Sequence, residues 1–340
     1  MPRGRGICHS ARPTDPEFGL KSHCPGATWH WMLVRLTPNL RQRLSGGHTL
    51  AAGAPHPSAG PDWGKADFEA IYDRPDPRTY FRTLRPLDYQ IPHHGQGVFR
   101  VLAESLQRRR PGRPPLQVVD LCCSYGVNAA LLNHKLSLAD LYDRYTDAQE
   151  TGGLPPGRLA AEDRTFFDEL RRPEAVRILG IDAARHAVGY AERVGLLDAG
   201  FAENLEAADP SARLRDAMAG TDLITVTGGV GYITATTFGR LLACTPTAPW
   251  VAAFVLRTVS YAPVAALLAD AGLVTERLPA RTFRQRRFAD LAERRAAFGA
   301  LQDRDLDTTG KESDGFYHAD LYLSRPAADV AALPLERLVP

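Results

Sequence analysis

The chain has 340 residues with a formal net charge of +2, and 44% of them are hydrophobic and 24% charged. This length fits one decorated α/β domain or two smaller ones, and the apolar fraction is enough for a sizeable buried core. The composition excludes collagen, a coiled coil and a wholly disordered chain. No apolar stretch approaches the roughly 18 residues of a membrane span, so we predict that the chain neither crosses nor binds a membrane.

The first sixty residues differ in composition from the rest. They carry seven Lys and Arg residues against only Asp15 and Glu17, which leaves the remainder mildly acidic. We predict that residues 1–60 are a disordered or non-native extension, and an organelle transit peptide is the alternative. A secretory signal is disfavoured because the apolar run Trp31–Val34 is too short.

Five cysteines are present, and the adjacent pair Cys122 and Cys123 has neither zinc nor thioredoxin-like spacing. We therefore predict packing roles for this pair, no metal, and a reduced, cytoplasmic protein.

After this extension the sequence predicts a helical lid segment, residues 61–115, with helices near Lys65–Tyr72 and Gln96–Arg109. Strands and helices then alternate. The predicted strands are Leu116–Leu121, Val176–Asp182, Phe201–Leu205, Asp222–Thr227, Trp250–Arg257, Leu273–Leu278 and His318–Ser324. The predicted helices are Val127–Leu136, Ala184–Val194, Ser211–Ala219, Thr236–Cys244 and Pro263–Ala271. This alternation indicates a parallel sheet with helices on both faces.

Two stretches, 137–175 and 279–316, interrupt the alternation. Leu138–Tyr145 in the first and Asp290–Gln302 in the second have helical spacing. We predict both as insertions near the sheet edges of a single domain, 116–326, which a tail at 327–340 follows.

The first strand runs into a loop of small residues, Asp120-Leu-Cys-Cys-Ser-Tyr-Gly126, directly before a helix. Ligands of an open parallel sheet bind at the carboxyl ends of its strands. Small residues at 122, 124 and 126 let backbone N–H groups approach a ligand closely. As a glycine fingerprint the loop is degenerate, because Cys122 and Ser124 replace two of three expected glycines.

The second strand ends in Gly180-Ile-Asp182, which places a carboxylate where it can accept both hydroxyls of a ribose. The alternative role for Asp182 is to cap the helix that follows. Its spacing from Asp120 greatly exceeds the roughly 20 residues of a dinucleotide fingerprint, because the first insertion intervenes.

Together these segments resemble the class I S-adenosylmethionine-dependent methyltransferases, over about residues 76–326. Asp120–Gly126 stands at the position of the family's Asp-x-Gly-x-Gly-x-Gly loop, and Gly180–Ala191 is similar to its second-strand motif. Ala202–Leu205 matches the third-strand segment, and Asp222–Ile233 resembles the fourth-strand motif. The resemblance implies a doubly wound, Rossmann-like α/β/α sheet, mostly parallel with a C-terminal antiparallel hairpin.

The resemblance also implies S-adenosyl-L-methionine as cofactor and in-line methyl transfer to a small-molecule acceptor. Carried over residue by residue, the cofactor-binding positions are Asp120, Cys122, Ser124 and Gly126 at the methionine moiety, Asp182 and Ala183 at the ribose, Asn204 and Leu205 by adenine, and Thr227 and Gly228 below the sulfonium.

The lid segment supplies candidates for the acceptor side. Methyl transfer needs a positioned nucleophile, and a hydroxyl or ammonium acceptor must lose a proton. Tyr89 and Gln90 are predicted to bind substrate, and His93 and His94 to act in catalysis. Packing for Tyr89, and capping or solvation of a turn for the two histidines, are the alternatives.

Two further candidates follow the fourth and fifth strands. Tyr232 is predicted to face the sulfonium through a cation–π contact, as a catalytic and substrate-binding residue. Arg257 is predicted to hold an anionic group of the substrate. The alternatives are packing for Tyr232 and a salt bridge for Arg257.

The run Arg281–Phe288 interleaves aromatic residues with four arginines, and it fits either an anionic ligand or a solvated face beside acidic neighbours. The sequence Thr227–Tyr232 stands where an Asn-Pro-Pro-Tyr motif would indicate amide or nucleic-acid amine acceptors. We predict a small-molecule acceptor, no nucleic acid partner, and a monomer or homodimer.

Two other functions fit the same pattern. The strand, small-residue loop and helix are typical of an NAD(P)-dependent oxidoreductase, although the degenerate loop and the long spacing to Asp182 disfavour it. The chain has no unmistakable catalytic residue, so a non-catalytic S-adenosylmethionine-binding regulator is the other alternative.

Overall fold

The computed structural model describes residues 69–339 apart from 111, 113, 148, 150 and 280. All of these belong to one compact unit, Ser58–Pro340. The predicted extension 1–60, and the lid segment up to residue 68, lie outside the described residues. The predicted boundaries at 61, 116 and 327 stay predictions.

The described residues form a single mixed sheet of eight strands. The strands are β1 Gln117–Leu121, β2 Arg177–Asp182, β3 Ala199–Ala202, β4 Leu223–Thr227, β5 Trp250–Leu256, β6 Leu273–Arg277, β7 Phe283–Arg287 and β8 Phe316–Pro326. Their order is β3-β2-β1-β4-β5-β8-β6, and β7 also pairs with β8. The first five strands are mutually parallel, and β8 runs antiparallel to its neighbours.

The helices of the described residues lie mainly between the strands. They are α1 Glu69–Tyr72, α2 Arg78–Leu84, α3 Ile91–Arg108, α4 Val127–Asn133, α5 Leu138–Thr146, α6 Pro156–Leu170, α7 Arg185–Arg193, α8 Ala212–Met218, α9 Ala235–Leu242, α10 Ala262–Asp270, α11 Leu291–Gln302, α12 Ala327–Ala332 and α13 Leu335–Leu338. None of them has the length and apolar character that a bilayer crossing requires.

Helices cover both faces of the sheet. Successive side chains of a strand point to opposite faces, and Val118 and Val119 accordingly belong to two different hydrophobic cores. The first core contains Phe99 of α3, and the second contains Phe238 of α9. The predicted three-layer, mostly parallel sheet with C-terminal antiparallel strands is therefore confirmed.

The edge of the sheet at β8 differs from the prediction. β6 pairs with the second half of β8, from Tyr322 to Pro326, and β7 pairs with its first half, from Phe316 to Ala319. The insertion prediction for 279–316 overlooked β7, because its sequence Phe-Arg-Gln-Arg-Arg does not read as a buried strand. Gln285 and Arg286 are nevertheless buried.

Other element predictions were wrong in extent or missing, among them α2, α12 and α13, which were not predicted, and α4, which ends at Asn133 and not at Leu136. The third strand is Ala199–Ala202 and not Phe201–Leu205, so Asn204 lies in the loop after it. Helix α3 begins at Ile91 and not at Gln96, since Pro92 is favourable in a first helical turn. Helix α6 was not predicted at all.

The first insertion is integrated into the fold by a buried polar network. Asp163 of α6 is fully buried, and it accepts hydrogen bonds from Arg144 Nε at 2.7 Å and from the Tyr190 hydroxyl at 2.5 Å. The Tyr145 hydroxyl lies 2.8 Å from that of Tyr190. Burial raises the pKa of Asp163, while the bonds from Tyr190 and Arg144 oppose that rise. The network joins α5, α6 and α7.

Candidate functional site

The loop after β1 has an unusual backbone. Cys122, Ser124 and Gly126 all have left-handed φ angles, of 60°, 47° and 74° respectively. For a residue with a side chain this conformation costs about 1–2 kcal/mol, and such strain concentrates at functional sites. Of the three, only Gly126 is a residue that this conformation favours, so Cys122 and Ser124 are held in a strained backbone.

The two cysteine side chains pack against glycines, one in the loop after β4 and one on β2. A Cβ on Gly229 would lie 2.7 Å from Cys122 Sγ, and one on Gly180 would lie 2.8 Å from Cys123 Sγ. Both glycines are therefore required for the thiols to fit. This arrangement leaves the backbone of the loop to define the ligand-facing surface.

Asp182 connects this loop to the end of β2. Its Oδ2 accepts a hydrogen bond from Ser124 N at 2.9 Å, and its Oδ1 accepts one from Ala184 N at 2.9 Å. Helix α7 begins after Ala184 and has no side-chain cap, so Asp182 does not cap it. Burial raises the pKa of Asp182, and the backbone donors oppose that rise. Each carboxylate oxygen keeps a second lone pair for a ligand.

Asp120 lies below the loop in a network that the sequence did not predict. Asn128 Nδ2 donates to Asp120 Oδ1 at 3.0 Å and to Thr227 Oγ1 at 2.9 Å, and Thr225 Oγ1 donates to the same Asp120 oxygen at 3.2 Å. Burial raises the pKa of Asp120 to about 7, which the bonds from Asn128 and Thr225 oppose. The network joins the ends of β1 and β4 through α4.

Three polar atoms around the loop are buried without a hydrogen-bond partner among the described residues. They are Asp120 Oδ2, Asn128 Oδ1 and Ser124 Oγ. Buried polar atoms in native proteins are nearly always hydrogen-bonded. Their convergence at the carboxyl edge of the sheet therefore indicates a place for a polar ligand.

The loop after β4 lies beside this network. Gly228 and Gly231 have φ angles of 68° and 114°, which favour glycine. Gly228 N donates to Phe254 O at 3.0 Å. A Cβ on Gly95 in α3 would lie 3.5 Å from Thr227 Cγ2, so the first turns of α3 pack against the end of β4.

Five hydrogen-bond contacts join the lid segment to the loop after β1, to α5 and to β7. The Tyr125 hydroxyl accepts from Arg74 N at 2.8 Å, and its single proton is shared between Ile71 O at 3.1 Å and Arg74 O at 3.2 Å. The Tyr142 hydroxyl donates to Tyr89 O at 2.7 Å. On β7, Gln285 O accepts from Gln90 N at 2.7 Å.

The predicted acceptor-side residues of the lid have different surroundings. Tyr89 is buried, and burial raises its pKa to about 12, with Arg286 lowering it and Asp120 raising it. Its hydroxyl is thus close to the Asp120 network. His94 packs against Phe283, and burial together with nearby positive charges lowers its pKa to about 4. His93 is exposed beside it.

Four other predicted residues lie apart from the loop at 122–126. Tyr232 is 65% exposed, and Leu205 packs in the second core. Asn204 Oδ1 accepts from Glu206 N at 3.0 Å in a local turn. Arg257 is buried and donates to Glu312 Oε2 and, at 2.8 Å, to Asp307 O. Their cofactor and substrate roles stay predictions.

A buried ion pair on β7 is a further feature that the sequence did not predict. Arg286 donates to both carboxylate oxygens of Glu293, at 2.9 and 2.5 Å, and each side chain is 2% exposed. The guanidinium lies 5.0 Å from the centre of the Tyr317 ring. Its charge also affects the pKa of Tyr72 and Tyr89 in the lid segment.

The contacts of Tyr125 yield a prediction about the lid. Tyr125→Phe removes all three hydrogen bonds to Ile71 and Arg74 but keeps the ring packing. We expect faster amide hydrogen exchange at residues 71–76, by about tenfold, with unchanged exchange in β1 and β4. Mass spectrometry of exchanged peptides measures this, and equal exchange at 71–76 in both proteins would contradict it.

No known protein family and no curated protein matches the chain. Solved structures that match include the plantazolicin methyltransferase BpumL in complex with SAH, with 10% identity, a TM-score of 0.36, and coverage of 76% of this chain and 93% of that one. Magnesium protoporphyrin IX methyltransferase from Synechocystis PCC 6803 with bound SAM matches with 13% identity, a TM-score of 0.31, and coverage of 68% and 80%.

Precorrin-6y C5,15-methyltransferase from Geobacter metallireducens GS-15 matches with 9% identity, a TM-score of 0.34, and coverage of 67% of this chain and 87% of that one. Likeness at this level carries no conclusion about what this chain binds. The sheet has the mostly parallel arrangement with antiparallel C-terminal strands that the sequence resemblance implied.

Proposed function

We propose that the chain is an S-adenosylmethionine-dependent methyltransferase that acts on a small-molecule acceptor. The observation that supports this most strongly is the loop at 122–126, with left-handed backbone at 122, 124 and 126 and a hydrogen bond from Ser124 N to Asp182. The two features lie on adjacent strand ends, where ligands of such sheets bind.

The residues at this edge fit the chemistry of S-adenosylmethionine. Its α-ammonium group is a donor for the buried Asp120 Oδ2 and Asn128 Oδ1, which have no protein partner among the described residues. Its ribose hydroxyls are donors for the remaining lone pairs of Asp182. In the same proposal Cys122, Ser124 and Gly126 contact the methionine moiety. The other proposed contacts are Ala183 at the ribose, Asn204 and Leu205 at adenine, and Thr227 and Gly228 below the sulfonium.

Bound S-adenosylmethionine supplies an activated methyl group, and the protein has to orient the acceptor and exclude water. In this proposal the lid segment excludes water, and hydrogen bonds from Tyr125 and Tyr142 hold it in place. His93, His94 and Tyr232 are the proposed catalytic residues, and Tyr89, Gln90 and Arg257 the proposed substrate contacts. With a pKa of about 4, His94 is neutral at pH 7 but a weak base.

We further propose a cytoplasmic location, a monomer or homodimer, and no nucleic acid or membrane partner. Cys122, Cys123 and Cys244 form no disulfide bond among the described residues, as is usual for proteins of a reducing compartment. No group of His, Cys, Asp and Glu side chains in the described part of the chain could hold a metal ion.

The test of the proposed function is methyl transfer from S-adenosylmethionine labelled in its methyl group into a small-molecule cell extract. We expect labelled low-mass product together with an equal amount of S-adenosylhomocysteine. Cofactor binding without transfer would indicate a non-catalytic regulator instead. Binding of NADH without binding of S-adenosylmethionine would indicate an oxidoreductase.

The pKa of Asp120 predicts how cofactor binding depends on pH. With a raised pKa of about 7, its carboxyl group loses its proton as the pH rises through neutrality. Only the ionised form is a strong acceptor for an ammonium group, so we expect S-adenosylhomocysteine affinity to increase about fivefold from about pH 6 to about pH 8.

Calorimetric titrations at a series of pH values measure this dependence. The matched variant Asp120→Asn cannot titrate, and it should bind more weakly with a flat pH profile. A wild-type affinity that does not change between these pH values would contradict the role of Asp120.

A further inference from the structure

Strand β7 contributes a buried amide that the structure itself leaves without a partner. Gln285 is 3% exposed, and its Oε1 is buried with no hydrogen-bond partner among the described residues. Neighbouring Arg286, in contrast, is fully engaged with Glu293. An orphaned amide oxygen in a native interior requires an explanation, and a ligand is one.

The side chain of Gln285 faces the loop after β4. Its Nε2 would lie 2.9 Å from a Cβ placed on Gly228, so the amide is in close contact with that backbone. In the proposed function, Gly228 lies below the sulfonium. The nitrogen is the end that faces Gly228, and the oxygen of the same amide is the atom without a partner among the described residues.

The start of α3 is bonded to the same strand. Gln285 O accepts a hydrogen bond from Gln90 N, which fixes the start of α3 against β7. Tyr89, the residue before Gln90, is buried, and the charges of Arg286 and Asp120 act on the pKa of its hydroxyl. The orphaned amide is therefore held next to the segment expected to cover the acceptor.

We propose that Gln285 binds the methyl acceptor, with its amide oxygen accepting a hydrogen bond from an N–H or O–H of the reacting group. This assignment rests on the proposed function and makes the acceptor an amine, amide or hydroxyl compound. In the transfer, the acceptor's lone pair forms the bond to carbon and the carbon–sulfur pair stays on sulfur. The acceptor's proton passes to His93 or His94, the proposed catalytic residues, because an amide is not basic at neutral pH.

Sinefungin tests this assignment without knowledge of the acceptor. It carries an amine where S-adenosylmethionine carries the methyl group, whereas S-adenosylhomocysteine carries nothing there. The amine therefore offers an N–H donor to the protein group that would face the transferred methyl group. We expect the full-length chain to bind sinefungin about tenfold more tightly than S-adenosylhomocysteine, as a hydrogen bond with a charged donor would give.

Three variants complete the test by calorimetry. Gln285→Leu should abolish the preference for sinefungin and leave the affinity for S-adenosylhomocysteine unchanged. Gln285→Asn shortens the side chain by one methylene and should also lose the preference for sinefungin. This variant replaces Gln285→Leu in the test if the leucine variant does not fold. The control Gln107→Leu, at an exposed position of α3, should leave both affinities unchanged.

The outcomes distinguish failure of the Gln285 assignment from failure of the proposed function. A preference for sinefungin that survives in the folded Gln285 variants overturns the assignment, and so does a wild-type chain that binds both compounds equally. A wild-type chain that binds neither compound contradicts the proposed function instead.

Discussion

Alanine in place of Asp182 is expected to weaken the binding of S-adenosylmethionine and S-adenosylhomocysteine by about 100-fold or more. The substitution removes the proposed acceptor for the ribose hydroxyls. It also removes the acceptor for Ser124 N and Ala184 N, both 2.9 Å from the carboxylate. The loop therefore loses its bond to β2 as well as a direct ligand contact.

Isothermal titration of both compounds measures this loss, and circular dichroism establishes that the variant is folded. Asp216→Ala is the matched control, because Asp216 is an exposed carboxylate on α8. It should bind both compounds as the wild type does. A folded Asp182→Ala protein with wild-type affinity would refute the assignment of this carboxylate.

Removal of the Glu293 side chain is expected to lower the free energy of unfolding by about 3–5 kcal/mol. Glu293 accepts both bonds from Arg286, and its Oε2 also accepts from Ala289 N at 2.6 Å. In Glu293→Ala the guanidinium stays buried with no carboxylate to compensate its charge. That uncompensated charge, more than the lost attraction, accounts for the size of the effect.

Urea denaturation followed by fluorescence or circular dichroism measures this change. Glu162→Ala is the control, because Glu162 forms an exposed pair with Arg158 on α6, and it should cost at most about 0.5 kcal/mol. The double variant Arg286→Met with Glu293→Leu should recover most of the loss, since it removes both charges. Equal costs for Glu293→Ala and Glu162→Ala would contradict the buried pair.

The central strands could be predicted from the sequence because each is a short, continuous apolar run. β1, β4 and β5 are almost uniformly buried. Because both faces of such a strand are covered by helices, most of its residues are apolar, and it can be recognised without an alternating pattern. The small residues at 122, 124 and 126 likewise indicated a tight loop in the sequence, since the chain has to turn directly from β1 into α4. Local pattern and local geometry agree at this edge of the sheet.

The features of the fold and of the site that were not predicted depend mostly on contacts between segments that are separate in the chain. β7 escaped prediction because burial of Arg286 requires α11 to pack against β7, which brings Glu293 to the guanidinium. Arg257 could be assigned to a substrate or to an ion pair, and its pair with Glu312 exists only once the second insertion folds back. Asn128 and Gln285 belong to the site through their neighbours Thr227 and Gly228, which no local sequence pattern indicates.

The measurement that tests the account most directly is a calorimetric titration of the full-length chain with S-adenosylhomocysteine at about pH 8, where Asp120, with a pKa of about 7, is mostly ionised. A parallel titration uses NADH. We predict one-to-one binding of S-adenosylhomocysteine in the micromolar range and no binding of NADH. Saturable NADH binding with no heat from S-adenosylhomocysteine would contradict the proposal that this chain is a methyltransferase.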